Sequence, residues 1–282
     1  MPVILIHLMR AHLVQLDIAW EDRRANFDRV EGLLSGASCR HGDLVVLPEM
    51  FDSGFSFNIP RTADEKGETL AYLKELAQKL GVTVHGARTV RKAGAKHAEN
   101  RATVVGARGD VLADYAKVHP FSYGKEQEHF EGGGEVVVYR WEGEGGALTV
   151  CPAVCYDLRF PELFRQGLMK GAEVYAVGAN WPEARAHHWR ALLIARAIEN
   201  QAFALGVNRV GRDPNLAYAG GSVAVGPRGD VLGELGAEEG VLSVEIDPRE
   251  VRAWREKFPA WRDAKVSFVP RAGKELATDA HG

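Results

Sequence analysis

Short apolar runs alternate along the chain with longer segments in which apolar residues recur at helical spacing. The runs at residues 12–18, 43–49 and 82–88 are typical of strands. Residues 22–35 carry apolar side chains at helical spacing, and residues 68–81 form a similar segment that ends at a glycine. The pattern therefore predicts an α/β protein from its first third onward.

The same alternation continues through the second half of the chain. Residues 147–155 and 172–180 are predicted strands, and a helix between them begins near Pro161, a residue suited to a first helical turn. A long helix is expected over roughly 184–200, followed by a strand over 203–211. This order indicates sheets that are covered by helices.

Two stretches of the chain resemble each other. Residues 104–115 and 223–235 each consist of a β-branched run, an Arg-Gly-Asp turn and a second apolar run, which predicts two hairpins. One interpretation is that the chain has two similar halves, each a sheet covered by helices. The other is that Arg-Gly-Asp is simply a favourable turn sequence.

Composition is that of an ordinary globular protein, with 46% hydrophobic and 26% charged residues among 282. No Pro/Gly/Ser-rich linker divides the chain, so a single domain is expected. The formal net charge is −3 without a long basic block, which argues against a nucleic-acid partner. The apolar N-terminus is too short to span a membrane and lacks the features of a signal peptide, so we expect no membrane partner and a cytoplasmic location.

Three cysteines, Cys39, Cys151 and Cys155, are too few for a disulfide framework and fit a reducing compartment. Cys155 ends one of the predicted strands just before the helix at Pro161. The partial positive charge of a helix N-terminus would favour a thiolate and a developing oxyanion there. The alternative is that Cys155 is a small buried apolar residue.

Three further residues could complete the chemistry of an acyl-transfer site. Glu49 closes the apolar run at 43–49 and is a candidate general base, or else the first residue of a polar loop. Lys117 follows the first predicted hairpin and could stabilise an oxyanion, or else be a solvated lysine. Glu126 is a second candidate carboxylate, with Glu128 close enough in sequence to leave the choice between them open.

Three motifs carry a resemblance to a known family: LPEMF around Glu49, YAKVHPF around Lys117 and CYDLRFPEL around Cys155. Together they resemble the nitrilase (carbon–nitrogen hydrolase) superfamily over nearly the whole chain. The resemblance implies a four-layer α-β-β-α sandwich and a Glu–Lys–Cys triad that needs no metal or organic cofactor. It also implies a structural glutamate, which Glu126 matches.

The resemblance extends to one branch of the superfamily. Tyr156-Asp157 after the cysteine is amidase-like, and the surrounding motifs resemble ω-amidases, which act on 2-oxoglutaramate and similar small-molecule amides. It implies that Asn180 and Trp181 line the pocket. Arg185 is a candidate partner for a substrate carboxylate, or else part of a surface ion pair. We further expect the Tyr156 N–H to contribute to an oxyanion site. An N-carbamoyl amine or amino acid hydrolase, or a non-catalytic partner protein that retains the fold, remains an alternative.

The resemblance also sets the expected boundaries and assembly. The domain is expected to cover residues 9–270, with residues 1–8 as an N-terminal extension and residues 271–282 as a polar tail. Members of the superfamily usually form homodimers or higher homo-oligomers. The resemblance implies an interface formed by the helix after Cys155, the helix near residues 184–200 and the C-terminal tail.

Overall fold

The structure is a computed structural model that describes residues 8–265 of the chain. Its strands are β1 (Met9–Gln15), β2 (Leu44–Val46), β3 (Thr83–Val90), β4 (Glu99–Val105), β5 (Val111–Ala116), β6 (Tyr139–Gly143), β7 (Gly146–Val154), β8 (Val174–Ala179), β9 (Phe203–Asn208), β10 (Val210–Arg212), β11 (Ala217–Ala219), β12 (Val223–Val225), β13 (Val231–Glu234) and β14 (Gly240–Ile246). Its helices are α1 (Arg23–Ser35), α2 (Ile59–Thr62), α3 (Glu68–Leu80), α4 (Pro161–Met169), α5 (Ala186–Asn200) and α6 (Pro248–Lys257).

Two six-stranded sheets form the centre of the molecule. The first has the order β14-β1-β2-β3-β4-β5 and the second the order β13-β12-β9-β8-β7-β6, while β10 and β11 form a separate two-stranded ribbon. In the first sheet β1, β2 and β3 run parallel, β4 runs antiparallel to β3, and β5 runs antiparallel to β4. In the second, β7, β8 and β9 run parallel, β12 runs antiparallel to β9, and β13 runs antiparallel to β12.

The two sheets are therefore structural repeats, and their hairpins match in detail. The β4–β5 hairpin has a bulge at Val104–Val105, and the β12–β13 hairpin has one at Ala224–Val225. Each turn has a glycine with positive φ, Gly109 at 85° and Gly229 at 91°, a conformation that favours glycine. The sequence echo thus reflects two similar halves of the fold.

Buried apolar side chains divide the molecule into four layers. One cluster lies between the two sheets and includes Leu13, Val46, Trp141 and Leu205. A second joins α1 and α3 to the outer face of the first sheet, and a third joins α4 and α5 to the outer face of the second. This is the expected α-β-β-α sandwich, and the helices bury their apolar faces against the sheets.

Some predicted boundaries were wrong by a few residues. β1 begins at Met9 and ends at Gln15 instead of spanning 12–18, because it pairs along that whole length with β14, a strand that the apolar pattern did not predict. The predicted strand at 203–211 is interrupted after Asn208 and continues as β10. The expected N-terminal extension falls almost entirely, and the polar tail entirely, outside the described residues.

Within residues 8–265, no helix is both long and apolar enough to cross a membrane.

Candidate active site

The predicted catalytic side chains come from three strand ends. Glu49 follows β2, Lys117 follows β5, and Cys155 follows β7 in the other sheet. Because β5 and β2 both run parallel to β3, their carboxyl ends lie at the same edge of the first sheet. Glu126 is added by the loop after β5, in a short 3-10 turn over Glu126–Glu128.

Lys117 lies between the two carboxylates. Its Nζ donates to Glu49 Oε1 at 2.8 Å and to Glu126 Oε2 at 2.8 Å. All three side chains are buried, at 1% exposure or less. A buried charge is tolerated only when it is paired and hydrogen-bonded, and this arrangement satisfies that requirement for each group.

The charges in this cluster shift one another's ionisation. Burial alone would lower the pKa of Lys117, but Glu126 and Glu49 outweigh it and raise that pKa above its ordinary value. Burial raises the pKa of Glu126, Lys117 opposes the shift, and Glu49 adds to it. Lys117 is therefore a permanent cation, suited to stabilising negative charge that develops on a substrate oxygen.

The structure distinguishes between the two glutamates that sequence reasoning left open. Glu126 is fully buried and contacts Lys117, whereas Glu128 is exposed. Glu126 Oε2 also accepts the backbone N–H of Phe121 at 2.5 Å, which fixes the loop that follows Lys117. Glu126 is thus the glutamate that contacts the predicted triad.

Cys155 has a strained backbone, with φ at +45°, the left-handed region that non-glycine residues rarely adopt. It opens a 3-10 turn over Cys155–Arg159, and its Sγ lies 3.9 Å from the carbonyl oxygen of Asn180. Such strain is typical of functional positions, where it aims a side chain. Here it places the thiol, partly exposed, in a pocket that Glu49 and Lys117 also line.

Helix α4 begins at Pro161, where the sequence predicts it, and Cys155 lies before it, at the start of the 3-10 turn. Burial raises the pKa of the Cys155 thiol well above its ordinary value, the Glu49 carboxylate raises it further, and the opposing effect of Lys117 is smaller. These effects oppose the thiolate that a helix N-terminus would favour, so the thiol needs a base before it can act as a nucleophile.

The pocket in front of the thiol has a volume of about 410 Å³, its opening to solvent included. All four predicted substrate-binding residues line it: Tyr156, Asn180, Trp181 and Arg185. Asn180 also holds the predicted base, since its backbone N–H donates to Glu49 Oε2 at 3.0 Å and its Nδ2 donates to the Glu49 carbonyl oxygen at 2.6 Å.

Sequence reasoning missed several lining residues, namely Phe55, Phe121, Arg159, Pro182, Leu216 and Tyr218. The guanidinium of Arg159 lies 4.7 Å from the Trp181 ring, and that of Arg185 lies 5.5 Å from the Phe121 ring. Within residues 8–265 neither arginine forms a salt bridge with an acidic side chain. The rim of the pocket can therefore attract an anion.

Asp157 was also missed as a link between the two sheets. Its buried carboxylate accepts from Tyr115 Oη at 2.7 Å, from the His119 backbone N–H at 3.0 Å and from the Val154 backbone N–H at 3.0 Å. These contacts tie the turn of Cys155 to the loop after Lys117. The sequence signal for this role was the aspartate in the motif after the cysteine, because an aspartate that becomes buried needs hydrogen-bond donors.

An α-β-β-α sandwich that gathers a glutamate, a lysine and a cysteine at one pocket defines a class of thiol hydrolase. A model of the carbon–nitrogen hydrolase family matches residues 10–256. The chain belongs to this family, which confirms the resemblance seen in the motifs, and it is an enzyme that hydrolyses carbon–nitrogen bonds other than peptide bonds.

Individual relatives are similar to this chain over almost its full length. The 2-oxoglutaramate amidase of Bacillus subtilis (strain 168) is 36% identical, covering 89% of this chain and 96% of the relative. The omega-amidase YafV of Escherichia coli (strain K12) is 34% identical, covering 91% and 96%. XC1258 from Xanthomonas campestris, a CN-hydrolase superfamily protein solved with an arsenic adduct in its active site, is 36% identical with a TM-score of 0.84, covering 93% and 99%.

Proposed function

We propose that the protein hydrolyses small ω-amides, with 2-oxoglutaramate-type compounds as the best candidates, to a carboxylic acid and ammonia through a thioester on Cys155. One observation carries the proposal: the thiol of Cys155 opens into a pocket beside the paired Glu49 and Lys117, below a rim where Arg159 and Arg185 form no salt bridge with an acidic side chain of residues 8–265. Nucleophile, base, oxyanion donor and substrate anchor are thus available together.

In the first half of the reaction, the thiol attacks the amide carbonyl carbon while Glu49 takes its proton, and the C–S bond forms. The ammonium of Lys117 and the backbone N–H of Tyr156 stabilise the oxyanion. Glu49 then transfers the proton to the leaving nitrogen, the C–N bond breaks, and ammonia departs. The acyl group remains on Cys155 as a thioester.

In the second half, water attacks the thioester while Glu49 accepts a proton from it. The C–S bond breaks, the acid is released, and the proton on Glu49 returns to the sulfur. Glu126 contributes by holding Lys117, to which it is bound at 2.8 Å. One carboxylate thus serves as base in both halves and as acid in between.

The choice of substrate rests on the rim of the pocket and on the relatives. Arg185 and Arg159 are suited to a carboxylate at the far end of a short amide, since a guanidinium binds a carboxylate through two hydrogen bonds. The relatives from Bacillus subtilis and Escherichia coli are named for 2-oxoglutaramate and ω-amides. Apolar side chains such as Phe55 and Trp181 would surround the connecting carbons.

Mass spectrometry after rapid quench with 2-oxoglutaramate tests the proposal. An acyl adduct is expected on Cys155, and Cys155→Ala should abolish turnover. Cys151→Ala is the matched control, because Cys151 is fully buried beneath α4 and should leave most activity intact. An adduct on another residue would refute the assignment of the nucleophile.

A substrate panel tests the specificity separately. Ammonia release is measured with ω-amides, N-carbamoyl amino acids and nitriles at equal concentrations. Preference for ω-amides is expected. Arg185→Ala should lower kcat/KM for the amide that carries a distal carboxylate more than for its neutral analogue. Faster release from N-carbamoyl amino acids would assign the enzyme to that alternative specificity.

We also propose a homodimer formed through α4 and α5. Met169, at the end of α4, is 69% exposed, and Ile198, on α5, is 51% exposed, which leaves apolar area for a partner to cover. Light scattering coupled to size-exclusion chromatography should give twice the mass of one chain, which is 30.9 kDa. Replacing Ile198 with Glu should yield monomers, and an unchanged mass would contradict this interface.

A further inference from the structure

Asn100 occupies a position between the two carboxylates that no step of the proposed reaction uses. It lies on β4 and is 1% exposed. Its Nδ2 donates to Glu49 Oε1 at 2.7 Å and to Glu126 Oε1 at 3.1 Å. Each hydrogen of the amide nitrogen therefore has its own carboxylate, and the side chain bridges two groups of like charge.

The orientation of the Asn100 amide is fixed by this bridge. The reverse orientation would point its Oδ1 at two carboxylate oxygens, which cannot donate. In the orientation present, Oδ1 is buried without a hydrogen-bond partner among the described residues. An unsatisfied buried oxygen costs free energy. In this orientation the hydrogen bonds that Nδ2 donates to Glu49 and Glu126 offset that cost.

Asn100 also contacts the backbone of the lysine that completes the cluster. The backbone carbonyl oxygen of Asn100 accepts the backbone N–H of Lys117 at 2.8 Å. One residue on β4 thus contacts Glu49, Glu126 and Lys117. The charged or titratable groups that face Glu49 are Lys117, Glu126 and Cys155, while Asn100 and Asn180 supply neutral donors.

We infer that Asn100 is a positioning residue that holds the Glu49 carboxylate in place beside the thiol by bridging it to Glu126. The inference rests on the proposed role of Glu49 as general base. A hydrogen-bond donor favours the ionised form of a carboxylate, so loss of this donor should move the acid limb of the pH profile of activity upward.

The test is the pH dependence of kcat/KM for Asn100→Leu, a variant of similar volume without donors. Its acid limb should move upward by about one pH unit, because a hydrogen bond to a charged group is worth that much or more in pKa. Asn100→Ala should shift it in the same direction if leucine does not fit. An unmoved acid limb in both variants would overturn the inference.

Asn200→Leu is the matched control for a purely structural effect. Asn200 is also a buried asparagine whose Oδ1 lacks a partner within the described residues, but its Nδ2 donates to the Arg196 carbonyl oxygen on α5, away from Glu49. Asn200→Leu should lower the thermal midpoint without moving the acid limb. A comparable shift in this control would show that the profile reports general destabilisation, and would overturn the inference.

Alkylation of Cys155 by iodoacetamide separates this inference from the proposed function, because it needs no amide substrate. Its rate depends on transfer of the thiol proton, and its pH profile should shift in Asn100→Leu as kcat/KM does. If no amide is hydrolysed but the alkylation profile shifts, the proposed function fails and the role of Asn100 stands. If amides are hydrolysed and neither profile shifts, only the inference fails.

Discussion

Lys117 carries the positive charge that two buried carboxylates share, so its contribution to stability is tied to its contribution to catalysis. Its pKa is raised by Glu126 and Glu49 despite burial, so it is charged at neutral pH. Removing it would leave Glu49 and Glu126 facing each other without a cation. A buried charge without its partner is among the most destabilising changes a core can undergo.

Lys117→Met should therefore abolish activity and lower the free energy of unfolding by about 3–5 kcal/mol at neutral pH, as measured by urea denaturation. The loss should become smaller as the pH falls, because burial raises the pKa of Glu126 and its protonation removes one of the unpaired charges. Adding Glu126→Gln to Lys117→Met should recover part of the stability and none of the activity. A loss below about 1 kcal/mol, as for a surface pair, would contradict this account.

His85 provides a second residue whose burial has a measurable consequence. It lies on β3 with 1% exposure, and burial lowers the pKa of its imidazole from 6.5 to about 4. The unfolded chain would bind a proton to His85 near pH 6.5 and the folded chain only near pH 4. Between these values the unfolded state is favoured by falling pH.

The free energy of unfolding should thus decrease by about 3 kcal/mol through His85 as the pH falls from 6.5 to 4. His85→Gln should flatten this part of the pH profile of urea denaturation. His187→Gln is the control, since His187 is exposed and should leave the profile unchanged. An equally steep profile in His85→Gln would show that other groups dominate acid unfolding.

The sequence could predict the residues that carry charge or a thiol but not those that orient them. Glu49, Lys117 and Cys155 each follow a recognisable strand, and the structure brings all three to one pocket. Asn100 lies within β4, and nothing in its local sequence indicates two carboxylates, since Glu49 is 51 residues away. Its contacts arise from strand order, which apolar periodicity does not encode.

Strand β8 approaches the segment that carries Glu49 closely enough to require a glycine. A Cβ atom built on Gly178 would lie 2.7 Å from the Leu47 carbonyl oxygen and 3.1 Å from the Glu49 backbone nitrogen. Both neighbours are backbone atoms, which cannot rotate away as a side chain can. This close approach lets a strand of the second sheet hold the base that the first sheet supplies.

Gly178→Ala should reduce kcat/KM about 10- to 100-fold by displacing Glu49, because small misplacements of catalytic groups have effects of this size. Gly233→Ala is the matched control: its Cβ would meet the Leu242 side chain at 2.8 Å, on strands remote from Glu49. It should lower the thermal midpoint while retaining activity. Equal activity in both variants would contradict the importance of this approach.

Among the elements, helices α1, α3 and α5 could be predicted because each shows helical spacing over more than ten residues. The apolar pattern did not predict the edge strands β6 and β14. β6 alternates buried Tyr139 and Trp141 with exposed charged residues but is only five residues long, and β14 begins with half-buried residues that do not alternate. β14 exists because it pairs with β1 along seven residues. That pairing depends on tertiary contacts 231 residues apart, as between His12 and Ser243.

The two repeats do not separate into two independent units. The second sheet is built from residues 139–234, but the chain then returns to the first sheet as β14 and pairs with β1. The cluster between the sheets takes side chains from both of them, including Leu13 and Leu205. The site likewise needs Glu49 from one sheet and Cys155 from the other. We propose on these grounds that residues 9–265 fold as one domain; the last five residues of the expected range 9–270 lie outside the described part of the chain.

Pulsed hydrogen exchange across a urea series tests this proposal, because it reports each sheet separately. Peptides from β1–β3 and from β7–β9 should lose protection at the same urea concentration. Val244→Asp, in β14 and in the cluster between the sheets, should lower both midpoints equally, whereas Glu245→Gln, its exposed neighbour, should lower neither. If Val244→Asp shifted only the first sheet, each repeat would be a domain of its own, and the site would be an interface between them.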